Sequence, residues 1–288
     1  MKLGLSLPMF TADVRRPLDA AARAAAAGYD GVFAPDHLFP PSAPDRPSLE
    51  PFTVLAAVAG LHPRLRIGTL VTRASLRPVG LLAKQASALD GIGQAGLILG
   101  LGAGDHVSRR EHETFGIPFA TARERVEILE ETAQALRTLF DGRPWGGGRH
   151  LPPVSGPLRP PGRPEIWIGG RSDPVIAAAA RAADAWNGWG MDAGAFHAAV
   201  GRLASLSDGR PVSPTWGGIV LVGRNREELS RVVADRRSKG LDMDVWIGTA
   251  DELRTFAARL HDVGCSWLIS VPVGGDDRLE LVADVLHG

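Results

Sequence analysis

Leu99-Gly-Leu-Gly-Ala-Gly-Asp-His106 closes an apolar run, Gly96 to Leu101, and opens into a polar loop. Glycines at 100, 102 and 104 let a backbone approach a flat ligand closely. Asp105 then falls just past the strand's carboxyl end, the edge where α/β proteins assemble their chemistry. Because residue 105 is Asp, the spacing is GxGxG and the dinucleotide fingerprint fails at its third glycine. A tight strand exit that merely needs small residues fits the stretch equally well.

The same unit, an apolar run ending in a polar loop, recurs along the whole chain. Strand patterns fall at Leu3–Leu7, Gly31–Ala34, Arg66–Thr72, Gly96–Leu101, Glu165–Ile168, Ala185–Trp189, Trp216–Val222 and Trp267–Val271. Ala- and Leu-rich helical patterns lie near 15–27, 52–60, 78–90, 120–140, 173–183, 192–206, 225–239 and 250–263. Strict alternation predicts a parallel sheet with helical crossovers, and eight units predict closure into a (β/α)8 TIM barrel. The chain length of 288 residues suits one such domain spanning 1–288. An open, doubly wound sheet is the main alternative.

Three connections are long. Phe39 to Pro51 and Asp105 to Pro118 follow the second and fourth strands, so both lie on the carboxyl-terminal face and are expected to cover or line a site. The second of them carries His106, Arg109, Arg110, Glu111, His112 and Glu113. Gly142 to Pro164 follows the fourth helix and reads as a flexible excursion on the opposite side.

Composition narrows the classes. Hydrophobic residues at 44% and charged residues at 22% are those of an ordinary globular protein, and zero net charge carries no nucleic-acid footprint. No apolar run reaches the roughly 18 residues of a membrane span. The opening Met-Lys-Leu-Gly-Leu-Ser-Leu-Pro reads as a strand, with too short an apolar stretch for a signal peptide. One cysteine, Cys265, leaves no internal disulfide and fits a reducing cytoplasm. The eight histidines include no HExxH, and neither GxxxxGK[ST] nor GxSxG is present. No metal site is expected.

Asp36-His37 follows the second strand after Pro35. A carboxylate and an imidazole side by side can relay a proton near neutral pH, although an Asx-type turn with a solvated histidine explains the dipeptide as well. Asp105-His106 repeats the pairing after the fourth strand, and a barrel opens both strand ends onto one face. Gly169-Gly-Arg-Ser-Asp-Pro174 separates a strand from an Ala-rich helix. Exposed amides at a helix start beside glycines and an arginine make an anion site, with capping after a tight turn as the plainer reading. Ile67-Gly-Thr-Leu-Val-Thr72, followed by Arg73 and Arg77, is a strand whose small residues leave room inside a barrel. Trp189, at a strand end, fits a core and a site wall equally.

Together these landmarks resemble the bacterial luciferase-like superfamily of flavin- and deazaflavin-dependent oxidoreductases. The carriers are Ala27-Gly-Tyr-Asp-Gly-Val-Phe-Ala-Pro-Asp-His-Leu38, Ile67–Thr72, Leu82-Ala-Lys-Gln-Ala-Ser-Ala-Leu-Asp90, Leu99–Gly104, Phe115-Gly-Ile-Pro118, Ile166-Trp-Ile-Gly-Gly-Arg171, Ala183-Asp-Ala-Trp-Asn187 and Gly248-Thr-Ala-Asp-Glu-Leu253. The family fold is a TIM barrel, which agrees with the independent count of units.

The resemblance implies one of two cofactors, FMN or coenzyme F-420, an 8-hydroxy-5-deazaflavin. In the deazaflavin branch an Asp-His pair after strand two and an acid after the strand-four glycines sit at the reacting ring, and Asp36, His37 and Asp105 hold those places. FMN users tend to carry an arginine among the glycines; here Ala103 stands between Gly102 and Gly104, which favours F-420. A non-prolyl cis bond behind the ring is implied at Thr69–Leu70. One departure is Ile92-Gly-Gln-Ala95 where relatives usually read Ser-Gly-Gly-Arg, at the other end of the barrel.

The expectation is hydride transfer between F-420 and a small organic substrate. His37 is the acid/base and Asp105 a second proton carrier. Asp36, Thr69, Leu70, Gly102, Ala103 and Gly104 surround the ring, and Gly169, Gly170, Arg171 and Ser172 hold the tail phosphate. The alternatives are an FMN-dependent monooxygenase and a barrel that binds a flavin without turnover. The substrate is left open, and so is the oligomeric state, a homodimer being one outcome.

Overall fold

Leu3, Leu5 and Leu7 alternate with Gly4 and Ser6, and that period of two puts the leucines in the helix-facing core and the small residues inside a barrel. In the computed structural model this logic repeats around a closed ring. The structure describes residues 1–41, 43–240 and 244–288.

Among these residues the elements run β1 (Lys2–Ser6), α1 (Arg15–Ala26), β2 (Gly31–Ala34), α2 (Pro51–Leu61), β3 (Arg66–Arg73), α3 (Val79–Ile92), β4 (Leu97–Gly102), α4 (Arg109–Thr114) and α5 (Ala122–Phe140). They continue with β5 (Glu165–Gly169), α6 (Asp173–Ala182), β6 (Ala185–Trp189), α7 (Ala193–Leu206), β7 (Ser213–Gly223), α8 (Arg226–Ser238), β8 (Trp246–Thr249), α9 (Ala250–Asp262), β9 (Trp267–Val273) and α10 (Arg278–His287). Strands β1 to β7 and β9 pair in parallel and close on β1, giving the (β/α)8 barrel expected from the alternation.

The unit count needs correcting in detail. Two helices and a short strand lie between β7 and the closing strand, not two helices alone. β8 pairs with the outer end of β7, Val220–Gly223, and raises a wall above the ring. Four residues containing a glycine and an exposed Ile247 carry no readable period. The expected helix at 250–263 is therefore not the eighth crossover; α10 completes the ring, and α4 is a further short helix after β4. The segment 142–164 is tied down rather than loose. Glu131 accepts from the amides of His150 and Leu151, and Ser87 Oγ donates to Pro160 at 2.6 Å.

The amino-terminal half of the barrel is filled by rings. Phe33 stacks on Trp167 at 5.6 Å and meets Trp267 edge-on at 5.5 Å, with Ile98 and Ile269 beside them. A Cβ on Gly4 or Gly68 would lie 2.7 Å from the Phe33 ring, so both strands need glycine there. Toward the other end the filling changes. Thr69 pairs with Leu99 and Thr72 with Leu101, so Leu70 and Val71 together oppose Gly100 in a β-bulge. The non-prolyl cis bond lies within it at Leu70–Val71, one residue beyond the expected Thr69–Leu70.

Candidate active site

The carboxyl-terminal mouth of the barrel is built around that bulge. A Cβ on Gly102 would lie 2.5 Å from Val71, one on Gly169 would lie 2.8 Å from it, and one on Gly100 would collide with the Thr69 carbonyl. The glycines of β4 thus make room for the bulge, which carries the half-buried Val71 side chain between β4 and β5. The simple reading, glycines opening backbone directly to a ligand, needs that revision. Thr69 is fully buried and donates from Oγ1 to the Gly100 carbonyl at 2.9 Å, and Leu70 joins the ring cluster below. Val71, not these two, presents a side chain toward the mouth.

Two arginines four residues apart leave the end of β3; Arg77 takes hold of Asp36 directly, and Arg73 reaches His37 only through Glu111. Arg77 pairs with Asp36, which also accepts from Thr72 Oγ1, and Arg77 reaches Glu50 at 2.9 Å. Asp36 is 2% exposed. Arg73 instead forms a two-pronged pair with Glu111, both nitrogen–oxygen distances being 2.9 Å. Arg73 and Glu111 are 4% and 0% exposed. Glu111 then reaches His37, Nδ1 to Oε1 at 2.9 Å, and accepts the Leu38 amide at 2.6 Å. Burial pushes the Glu111 carboxyl up, but the bonds from His37 and Arg73 outweigh it and hold it at about 2.

Glu111 rides on α4, whose neighbour His112 is also buried. Burial drives the His112 imidazole down, and its Nδ1 donates to the Pro118 carbonyl at 2.9 Å. The sequence shows Glu111 only as one charge in a long loop. Its partners His37 and Arg73 are 74 and 38 residues away, so no local spacing marks it.

Asp105 lies elsewhere in the network. It is exposed, and its Oδ1 accepts from the amide and hydroxyl of Ser108, each at 3.1 Å. It makes no hydrogen bond with Asp36 or His37, so the two acid–histidine dipeptides share a face without joining. Ala103 is half-buried; Gly104 has φ +71° and lets the Arg73 side chain pass, 3.1 Å from where a Cβ would stand.

On the β5 side, Gly170 adopts φ +148° with its amide on the Asn187 carbonyl at 3.1 Å. Ser172 occupies the cap position of α6 without a side-chain cap bond. Arg171 is exposed and pairs with Asp244 at 3.6 Å. Trp189 is half-buried, packed on the inner ring cluster with its own ring against Gly217. Among the described residues no group of three metal-ligating side chains occurs, and no helix is long and apolar enough to cross a membrane.

Over residues 1–264 the chain matches the family described as luciferase-like monooxygenase. A phthiodiolone/phenolphthiodiolone dimycocerosates ketoreductase of Mycobacterium tuberculosis is 30% identical over 215 residues, which span 68% of this chain and 55% of that protein. Two solved structures share the fold. An F-420-dependent secondary alcohol dehydrogenase in complex with an F-420–acetone adduct has a TM-score of 0.82 at 13% identity, covering 99% of this chain and 97% of that one. An EDTA monooxygenase from Chelativorans sp. BNC1 has a TM-score of 0.83 at 16% identity, covering 99% and 92%.

Proposed function

This chain belongs to the luciferase-like monooxygenase family, a family of oxidoreductases, and from that premise we propose that it transfers a hydride between coenzyme F-420 and a small organic substrate. The observation that carries the reading is the mouth itself. His37 stands half-exposed on a buried ion pair after β2, and at the carboxyl-terminal end of β3 Val71 lies between two glycines as an apolar floor.

These residues fit a flat deazaflavin. Val71 offers the ring an apolar face, with Gly102, Ala103 and Gly104 adding little bulk on one side and Trp189 standing on the other. The bulge Thr69–Val71 sets that floor, and Asp36 anchors the corner from which His37 projects. Gly169, Gly170, Arg171 and Ser172 would hold the phosphate through the Arg171 guanidinium and the start of α6, the Gly170 amide being committed to Asn187. When bound, the deazaflavin supplies the hydride chemistry at ring carbon 5.

The protein's own task is proton handling and orientation. His37 exchanges a proton with the substrate oxygen through Nε2, since Nδ1 is engaged by Glu111. Asp105, exposed at the rim, is the second proton carrier toward solvent. Ala103 supports F-420 over FMN, because FMN users tend to carry an arginine in that place; the nearby Arg125 instead donates to the Gly104 carbonyl from α5, at 3.4 Å. Arg73, which passes Gly104, has both terminal nitrogens committed to Glu111. The same reading takes 1–288 as one domain.

The likeness to a flavin-family monooxygenase keeps FMN as the second reading. Mixing the protein anaerobically with F-420 and a panel of small secondary alcohols, and following the ring's absorbance, separates them. The expected result is bleaching of F-420 and none of FMN. Turnover only with reduced FMN and oxygen would put a monooxygenase in its place. Binding without turnover under both conditions would leave a non-catalytic flavin carrier.

A further inference from the structure

We propose that Glu111 is a positioning residue for His37: it accepts the Nδ1 proton, fixes the ring with Nε2 toward the mouth, and is itself locked in place by Arg73. The inference rests on the reading that His37 handles the proton.

The geometry is a fully used carboxylate. Glu111 Oε1 takes His37 Nδ1 and Arg73 Nη1, and Oε2 takes the Leu38 amide and Arg73 Nη2. A carboxylate offers about four acceptor sites, so all are filled and the group has no freedom to turn. An ionised carboxylate only accepts; the proton in the His37 contact is therefore on Nδ1, and Nε2 of the neutral ring is the acceptor. Phe10 stands edge-on at 5.8 Å and limits tilting of the imidazole. The Leu38 contact pins the backbone one residue on, so ring and chain are registered to the same carboxylate.

The charges facing His37 oppose one another. Glu111 on α4 favours the imidazolium, while Arg73 on β3 disfavours it; Asp36, next in the chain, is answered by Arg77. The pair thus fixes the tautomer and leaves Nε2 available for the acid/base role. Glu111 belongs to the connection 105–118, so that connection carries the residue that orients His37.

The test is long-range ¹H–¹⁵N NMR of the His37 ring in the whole protein, without cofactor. In the wild type the Nδ1–H tautomer is expected. Glu111→Gln, whose amide can turn and donate, should give a mixture of the two tautomers, and Arg73→Met, which unlocks the carboxylate, should move the ring the same way to a smaller extent. Asp105→Asn should leave the wild-type tautomer in place. Circular dichroism shows whether each variant folds, and if Glu111→Gln does not, the wild-type tautomer decides. An Nε2–H tautomer in the wild type, or a tautomer indifferent to both substitutions in folded protein, would overturn the assignment. Retained turnover in His37→Ala with the expected tautomer would instead sink the catalytic reading and leave the positioning intact.

Discussion

Asp36-His37 and Asp105-His106 are the same dipeptide, each just beyond the end of a barrel strand and on one face, yet they sit in opposite surroundings. Asp36 is buried under Arg77 and Thr72, and His37 rests on a buried carboxylate. Asp105 and His106 are exposed, and the hydrogen bonds of the Asp105 carboxylate stay within its own loop, to Ser108. The difference comes from what arrives from elsewhere in the chain. The end of β3 delivers Arg73 and Arg77 to the first corner, and α4 delivers Glu111 to it. A dipeptide supplies candidate groups; the tertiary neighbours decide whether they have a fixed geometry.

The sharpest way to break this comparison is to remove the two histidines in turn. His37→Ala should lower kcat by about 10²–10⁴-fold, the usual worth of a positioned acid/base. His106→Ala should change it little, and Asp105→Asn should slow turnover less than His37→Ala. Steady-state kinetics on a substrate found by F-420 bleaching reads all three. Equal losses at 37 and 106 would erase the distinction between the corners.

Stability should divide the same way. Arg77→Ala strands buried Asp36 and Arg73→Ala strands buried Glu111, and breaking a buried pair from one side costs about 3–5 kcal/mol. Asp105→Ala removes exposed hydrogen bonds and should cost about 1 kcal/mol or less. Urea melts of the three variants measure both halves of that statement.

Acid should draw stability out of the first corner through Glu111. The folded Glu111 carboxyl lies at about 2, well below its ordinary value of 4.5. Its contribution is therefore complete above the unfolded value and is lost as pH falls toward 2, amounting to a few kcal/mol. Glu111→Gln should flatten stability across that window, and an unchanged acid limb would show that the carboxylate is not held as described.

Much of this architecture is legible in the amino-acid order, for physical reasons that also say where legibility stops. Apolar runs between Ala-rich helical patterns predict the barrel because period and alternation are local. The bulge is not local. Thr69–Leu70 and Leu70–Val71 differ only in how β3 leans on Gly100, Gly102 and Gly169, residues that look like a ligand cradle until Val71 is seen against them. β8 is too short to carry a period, and Glu111 acquires meaning only when α4 folds back onto β2 and β3. Asp36 and His37 were found because a dipeptide is visible in one dimension; the arginines that distinguish them from Asp105 and His106 are not.

The smallest expected effect bears on the largest claim, that this mouth is made for a deazaflavin. Calorimetric titration of the protein with F-420 and with FMN, under identical conditions, tests it without needing the substrate. The account predicts that F-420 binds at least tenfold more tightly, about 1.4 kcal/mol, because Ala103 stands where FMN users tend to carry an arginine. Equal affinities, or tighter binding of FMN, would contradict it.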